Sequence, residues 1–256
     1  MHGFAVFLGK ELTEIVRTWR LYVVPGILIF FGLTSPLIAE VTPALVSSMA
    51  GSEAQGIVIE IPPATTADAY LQFNNNAIEI AVIALIIATA GAISGERRSG
   101  TAQLVLTKPV SRTAMVVAKA VSNWILLAVA GGVGAALCAG VTAIMFDTSL
   151  LAEFAAMVGV WYVLAAFLVA LMMLFSVLLK SQAGAAGAGI AVFFAMSILS
   201  IWHVARDYSP AGLIGLGDRI VLGQPDLSIA WPVATSITAT VVLVALAALV
   251  FQRREL

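Results

Sequence analysis

The chain has 256 residues, of which 61% are hydrophobic and 11% charged, with a formal net charge of −1 and a mean hydropathy of +1.04. A soluble domain is roughly 45–50% apolar and about 25% charged, so a water-soluble fold of this length has nowhere to hide so many apolar side chains. The near-zero charge argues for neither a nucleic-acid partner nor an acidic tail. The single Cys138 excludes an intrachain disulfide, and His2 and His203 leave little material for a histidine-based metal or catalytic centre.

Residues 1–20 carry Lys10, Glu11, Glu14 and Arg17 where a signal peptide needs an uncharged core. On a helical wheel Phe4, Leu8, Leu12, Ile15, Val16 and Trp19 share one face, while Lys10, Thr13, Glu14, Arg17 and Arg20 take the other. The segment reads as an amphipathic helix lying in the inner interface, with Trp19 at headgroup level. The alternative is a cytosolic extension of the first span.

A hydrocarbon core about 30 Å thick takes about 20 apolar residues of helix. Six segments meet that length: 21–39, 77–94, 124–146, 154–179, 183–202 and 229–251. Pro25 and Pro36 lie inside the first, where membrane helices tolerate them. Asp147–Glu153 makes a short turn between the third and fourth spans, and Lys180-Ser181-Gln182 a tighter one between the fourth and fifth. Two long connections, 40–76 and 203–228, read as outer loops. The first holds Pro43, Pro62, Pro63 and Asn74-Asn75-Asn76; the second mixes apolar residues with glycine, as short helices dipping into the outer leaflet or as an interfacial cap.

Lysine and arginine set the orientation. Lys10, Arg17, Arg20, Arg97, Arg98, Lys108, Arg112, Lys119, Lys180, Arg253 and Arg254 fall on one side of this topology, and only Arg206 and Arg219 on the other. The positive-inside rule puts the basic side, and both termini, in the cytoplasm. The expected fold is therefore an all-α integral membrane domain of six transmembrane helices, with an N-terminal interfacial helix and a short cytosolic helix between spans two and three.

That cytosolic loop, 95–113, is the most informative stretch. Glu96, Arg97 and Arg98 end a membrane helix; Gly100 and Thr101 make a break and a helix start; Leu104, Val105 and Leu106 form an apolar patch; Pro109 stops it; and Ser111 or Thr113 begins the next helix. An apolar patch ringed by charge on a cytosolic loop reads as a docking surface, against the plainer reading of snorkelling anchors around a surface turn. Among the spans, Glu79 is the ionisable suspect. It either faces a substrate cavity or snorkels to the outer water from one turn inside the span, the simpler reading. Ser122, Asn123, Thr142 and Ser176 read as interhelical hydrogen bonds, and the small residues 183–189 as a close helix contact.

The loop resembles the signature region of the ABC type-2 permeases: Glu96, Gly100-Thr101, Leu104 and Leu106, and Pro109-Val110-Ser111-Arg112, with Lys119 beyond. The beginning is similar too, in Lys10-Glu11-Leu12, Arg17 and Ser35-Pro36-Leu37-Ile38. The resemblance implies that the short loop helix is a coupling helix seated in a cleft of a separate ATPase subunit. Leu104 and Leu106 would then be buried there, positioned by Arg97, Arg98, Lys108 and Arg112, with the N-terminal helix (Lys10, Glu14, Arg17, Trp19) packed beside it. Glu96 is expected to pair with Arg17 or Arg20. The resemblance further implies two permease halves, as homodimer or heterodimer, above two ATPase subunits that bind ATP and Mg. It also places the second and fifth spans, with Glu79, Ile83, Ile87, Phe193, Phe194 and Met196, along the pathway, and the protein in a prokaryotic cell membrane.

No G-x-x-x-x-G-K-[ST] phosphate loop is present, so ATP hydrolysis is expected in the partner, and this chain is expected to bind no cofactor or metal. A membrane enzyme is disfavoured by the absence of spans with histidine or paired acids and of a G-x-S-x-G elbow. A secondary transporter lacks its usual inverted repeat. A permease-like component that transmits motion without moving a solute stays open, as does the direction of transport, for which export is the expectation.

Overall fold

The computed structural model describes residues 2–53, 62–98, 111–224 and 228–253, and every regular element among them is helical. Six of these helices are long and apolar enough to cross a bilayer. The protein is an all-α integral membrane protein.

The chain opens with α1 (His2–Arg17), and after a two-residue break α2 runs from Arg20 to Glu53 with Pro25, Pro36 and Pro43 inside it. The first span was expected to end at residue 39 with a proline-rich loop beyond. Instead the helix continues past Pro43, because isolated prolines each remove one backbone donor without unravelling the turns around them. Thr34 and Thr42 also donate back to the Phe30 and Ile38 carbonyls, one turn earlier.

The second spanning helix, α3, begins at Thr66 and ends at Thr89, not at 77 and 94 as the hydropathy suggested. A capping box starts it: the Thr65 amide donates to Asp68 Oδ2 at 2.8 Å, and Thr65 Oγ1 accepts from the Asp68 amide. Polar Asn74, Asn75 and Asn76 hide this first stretch from a hydropathy window, yet two of them are internal ties. Asn74 donates to Asp218 at 2.8 Å, and Asn76 to Ser35 of α2 at 3.1 Å. Residues 77–81 form a π turn in mid-helix, with the Val82 amide donating to the Ala77 carbonyl. Trp161 from a neighbouring helix donates its indole N–H to that same carbonyl at 3.2 Å, a side-chain intrusion of the kind that accompanies such bulges.

After a turn at 90–93, α4 spans Ser94–Arg98. Then α5 (Arg112–Met145) starts at the N-cap Ser111, whose hydroxyl accepts from the Ala114 amide at 3.1 Å. It is a single helix from the loop through the membrane, twelve residues longer at its start than the apolar window 124–146. Helices α6 (Leu151–Leu178), α7 (Gln182–Leu199) and α10 (Ala230–Arg253) complete the spans. Between α7 and α10 stand α8 (His203–Tyr208), a 3-10 turn and α9 (Leu213–Val221), so the second long connection does hold short helices.

The hub is α6. It packs against α3, α5, α7, α9 and α10, and 61% of its most apolar window is buried, against 22% for α7 and α10. Leu164, Leu168, Met172 and Met173 are fully buried at its centre. The tightest pair is α2 with α5, which cross at Gly32 and Gly134. A Cβ on Gly134 would lie 2.7 Å from the Leu28 carbonyl oxygen, and one on Gly32 would collide with the Gly134 carbonyl, so only glycine admits this approach. In the small-residue run of α7 only Ala185 and Gly189 are buried; Gly187 has open space around it.

Candidate functional site

One end of the bundle gathers the basic residues, and α1 is fixed there by charge. Glu11 is buried, and its Oε2 accepts from Lys119 Nζ of α5 at 2.9 Å, with the two side chains 4% and 2% exposed. Around it Phe7 and Ile15 are buried and Phe4, Leu8 and Leu12 half-buried. The buried stripe of α1 thus runs Phe7, Glu11, Ile15, about one position away from the apolar face of the wheel, and Val16 and Trp19 are exposed. The wheel assigned Glu11 to no face because its burial is visible only with Lys119 opposite. Lys10 and Glu14 form an ion pair on the outer flank of α1, and Lys10 stands 5.5 Å from the Phe7 ring. Arg17 is exposed. The expected partner contact of Glu96 with Arg17 or Arg20 lies outside the described side chains.

Of the ten loop residues named from sequence, Gly100, Thr101, Leu104, Leu106, Lys108 and Pro109 lie outside the described residues, as do the side chains of Glu96 and Arg97. The two described residues on either side of that stretch are both tied to the bundle. Arg98 donates to the Lys180 carbonyl at 3.3 Å, and Arg112 to the carbonyls of Gln252 at 3.0 Å and Phe251 at 3.4 Å. Gln252 in turn donates to Thr113. The Phe251 and Gln252 carbonyls end α10, where a helix terminus leaves acceptors unpaired and the dipole favours cations, while that of Lys180 lies in the turn between α6 and α7.

The break before α4 has its own support, which sequence reasoning placed only as a generic interhelical bond. Ser176 Oγ accepts from the Ile93 amide at 2.9 Å and the Ser94 amide at 3.0 Å. Ser122 and Asn123, expected to bridge helices, instead donate to the Lys119 carbonyl of their own helix at 3.0 and 2.7 Å. Thr142 Oγ1 is buried without a hydrogen-bond partner among the described residues.

Among the residues expected on the pathway, Glu79, Ile87 and Phe194 are exposed, Ile83 is half-buried, and Phe193 and Met196 are buried in the core. Because α3 begins at Thr66, Glu79 stands near its middle rather than one turn from its end. No three of His, Cys, Asp and Glu come together as a metal site among the described residues.

At the opposite end acidic residues predominate. Asp147 accepts from Ser149 and from Thr66 at 2.8 Å, bonds that hold its carboxyl below the usual range. The bond from Arg206, with the Arg219 guanidinium 3.5 Å away, does the same for Asp207. Asp218 on α9 goes the other way: burial pushes it up, only partly offset by the Asn74 hydrogen bond. A raised folded pKa means that ionised Asp218 costs stability. The cost is absent below the unfolded pKa of about 3.9 and grows as pH rises through the higher folded value. Asp218→Asn keeps an acceptor for Asn74 and removes the titration. The variant is expected to unfold at higher temperature than wild type at pH 7 and at the same temperature at pH 4, in detergent melts. A variant less stable at pH 7 would show that the charge itself is needed.

Six spanning helices, one of them a buried hub, with an amphipathic helix locked to one end by an ion pair, define a multi-pass membrane domain. The family model described as "ABC-2 family transporter protein" matches residues 5–256, so the chain belongs to that family and is the membrane-embedded permease component of an ABC transporter, a class that works with an ABC ATPase subunit. It is also similar to "Uncharacterized transmembrane protein YxlG" of Bacillus subtilis (strain 168), 23% identical over 261 residues, covering 100% of this chain and 99% of the relative.

Proposed function

We propose that this chain is one half of an ATP-driven exporter of the cell membrane, with its basic end and both termini in the cytoplasm. Two permease subunits form the pathway, and two separate ATPase subunits bind ATP and Mg below them. The 96–112 segment is the coupling element: Leu104 and Leu106 enter the ATPase cleft, with Arg97, Arg98, Lys108 and Arg112 around them.

One observation carries this reading. At a single basic end the helix before the loop is fastened to the α6–α7 connection through Arg98, the helix after it to the end of α10 through Arg112, and the N-terminal helix to the helix after the loop through the buried Glu11–Lys119 pair. A loop that must receive a push from below needs such an anchored base, whereas a loop that merely connects two spans does not. Val16, exposed on α1, and Trp19, exposed in the break just after it, suit a helix lying at the headgroup level.

The test is co-purification with the partner ABC ATPase subunit. Leu104→Asp/Leu106→Asp is expected to reduce ATPase recovery at least tenfold while the permease still inserts and migrates as a monodisperse species. Full recovery with the double variant would overturn the coupling assignment.

A further inference from the structure

We propose that the exposed face of α3 lines the translocation path, that Glu79 is its cation-binding carboxylate, and that the cargo is accordingly an amphipathic cation. The inference deepens the permease reading above and rests on it.

Depth comes first. Glu79 is thirteen residues from the start and ten from the end of a 24-residue helix, so at 1.5 Å per residue about 20 Å and about 15 Å of helix lie on either side. Where the helix spans the bilayer over its whole length, a carboxylate in that position is beyond snorkelling reach of either headgroup layer, and against lipid its charge is costly. The side chain is nonetheless exposed in the single chain. The face that carries it must therefore meet water or another protein surface.

A second copy of this chain has no basic residue to offer from its six apolar segments: none of the thirteen lysines and arginines falls within them, and Lys119, the most buried of the described ones, is engaged by Glu11. What remains as counter-charge is water, a proton or the cargo.

The face also continues to an opening. Asp68, Gln72, Asn75 and Glu79 follow one another at helical spacing, and the first three line a cavity of about 500 Å³ between the far ends of α2 and α3. Toward the other end the same face carries Ile83 and Ile87, half-buried and exposed. Acids and amides at the mouth, a carboxylate at mid-depth and isoleucines beyond it match a ligand with a positive charge on an apolar body. The π turn at 77–81 adds a local widening at the level of the charge, a feature often found at functional sites.

The test uses the purified chain in lipid nanodiscs. Cys138 is the sole cysteine, so on a Cys138→Ala background Glu79→Cys is compared with Val241→Cys, an exposed apolar position on α10. The first is expected to react with a membrane-impermeant cationic methanethiosulfonate at least tenfold faster. Tetraphenylphosphonium is expected to bind the wild-type protein saturably, at least tenfold more weakly after Glu79→Gln, and with most of its affinity retained after Glu79→Asp. Equal thiol reactivity at the two positions, no saturable binding, or affinity indifferent to Glu79→Gln would each overturn the proposal. None of these readouts needs the ATPase, so their failure is separate from a failure of ATPase co-purification.

Discussion

Replacing Glu11 with leucine is expected to destabilise the protein by about 3–5 kcal/mol, because it takes the Glu11 counter-charge from the buried Lys119; replacing Lys119 with methionine is expected to cost less, because Lys10 still meets Glu11 Oε1 at 3.0 Å. The two side chains are 2% and 4% exposed and 2.9 Å apart, so the Lys119 ammonium has no route to water without moving α1. The double variant Glu11→Leu/Lys119→Met is expected to recover most of the loss, since an apolar pair of similar volume needs no desolvation. Unfolding by sodium dodecyl sulfate in mixed micelles measures all three. If the two single deficits simply add in the double variant, the residues are not coupled and α1 is held by Phe7 and Ile15 alone. The same single variants are expected to lower ATPase recovery, since a freed α1 no longer braces the start of α5.

The second large effect concerns the α2–α5 crossing. Gly32→Val and Gly134→Leu are expected to prevent assembly of a monodisperse protein, because even the Cβ would press on backbone rather than on a movable side chain. Such overpacking ordinarily costs about 1–3 kcal/mol and more where backbone must shift. Gly26, on the same helix with open space around it, is the internal control. Gly26→Ala is expected to leave the melting temperature unchanged or raise it, since alanine is favoured over glycine in a helix interior by about 0.5–1 kcal/mol. Equal loss at Gly26 and Gly32 would mean that backbone flexibility, and not the crossing, sets the requirement.

These two sites mark the limits of what the sequence makes legible. Six apolar runs and their charge asymmetry are enough to give the number of spans, because hydropathy depends on composition alone. Cap chemistry offers Ser111 or Thr113 as the start of α5, and the structure has Ser111 there. The extent of α2 and α3 does not follow. Three prolines and three asparagines suggest a loop until Ser35 and Asp218 supply partners that a one-dimensional window cannot see. The same holds for α1, whose wheel divides apolar from charged residues, while Glu11 turns inward because Lys119 meets it from a helix 108 positions away. At the pathway the periodicity of α7 did not reveal that Phe193 and Met196 face the core while Phe194 faces out. Mislocating the start of α3 had the largest consequence, for it turned a mid-helix carboxylate into an unremarkable end-of-helix one.

The serine that closes the break before α4 belongs to a different helix. Ser176 takes the Ile93 and Ser94 amides from across the interface, so the pivot between α3 and α4 is pinned from outside the hinged segment. A push on α4 cannot bend this joint without either parting those two bonds or dragging α6. Since α6 packs against five other helices besides α4, the joint behaves less like a loose elbow than like a crank: displacement at one edge of the bundle is delivered to its axle.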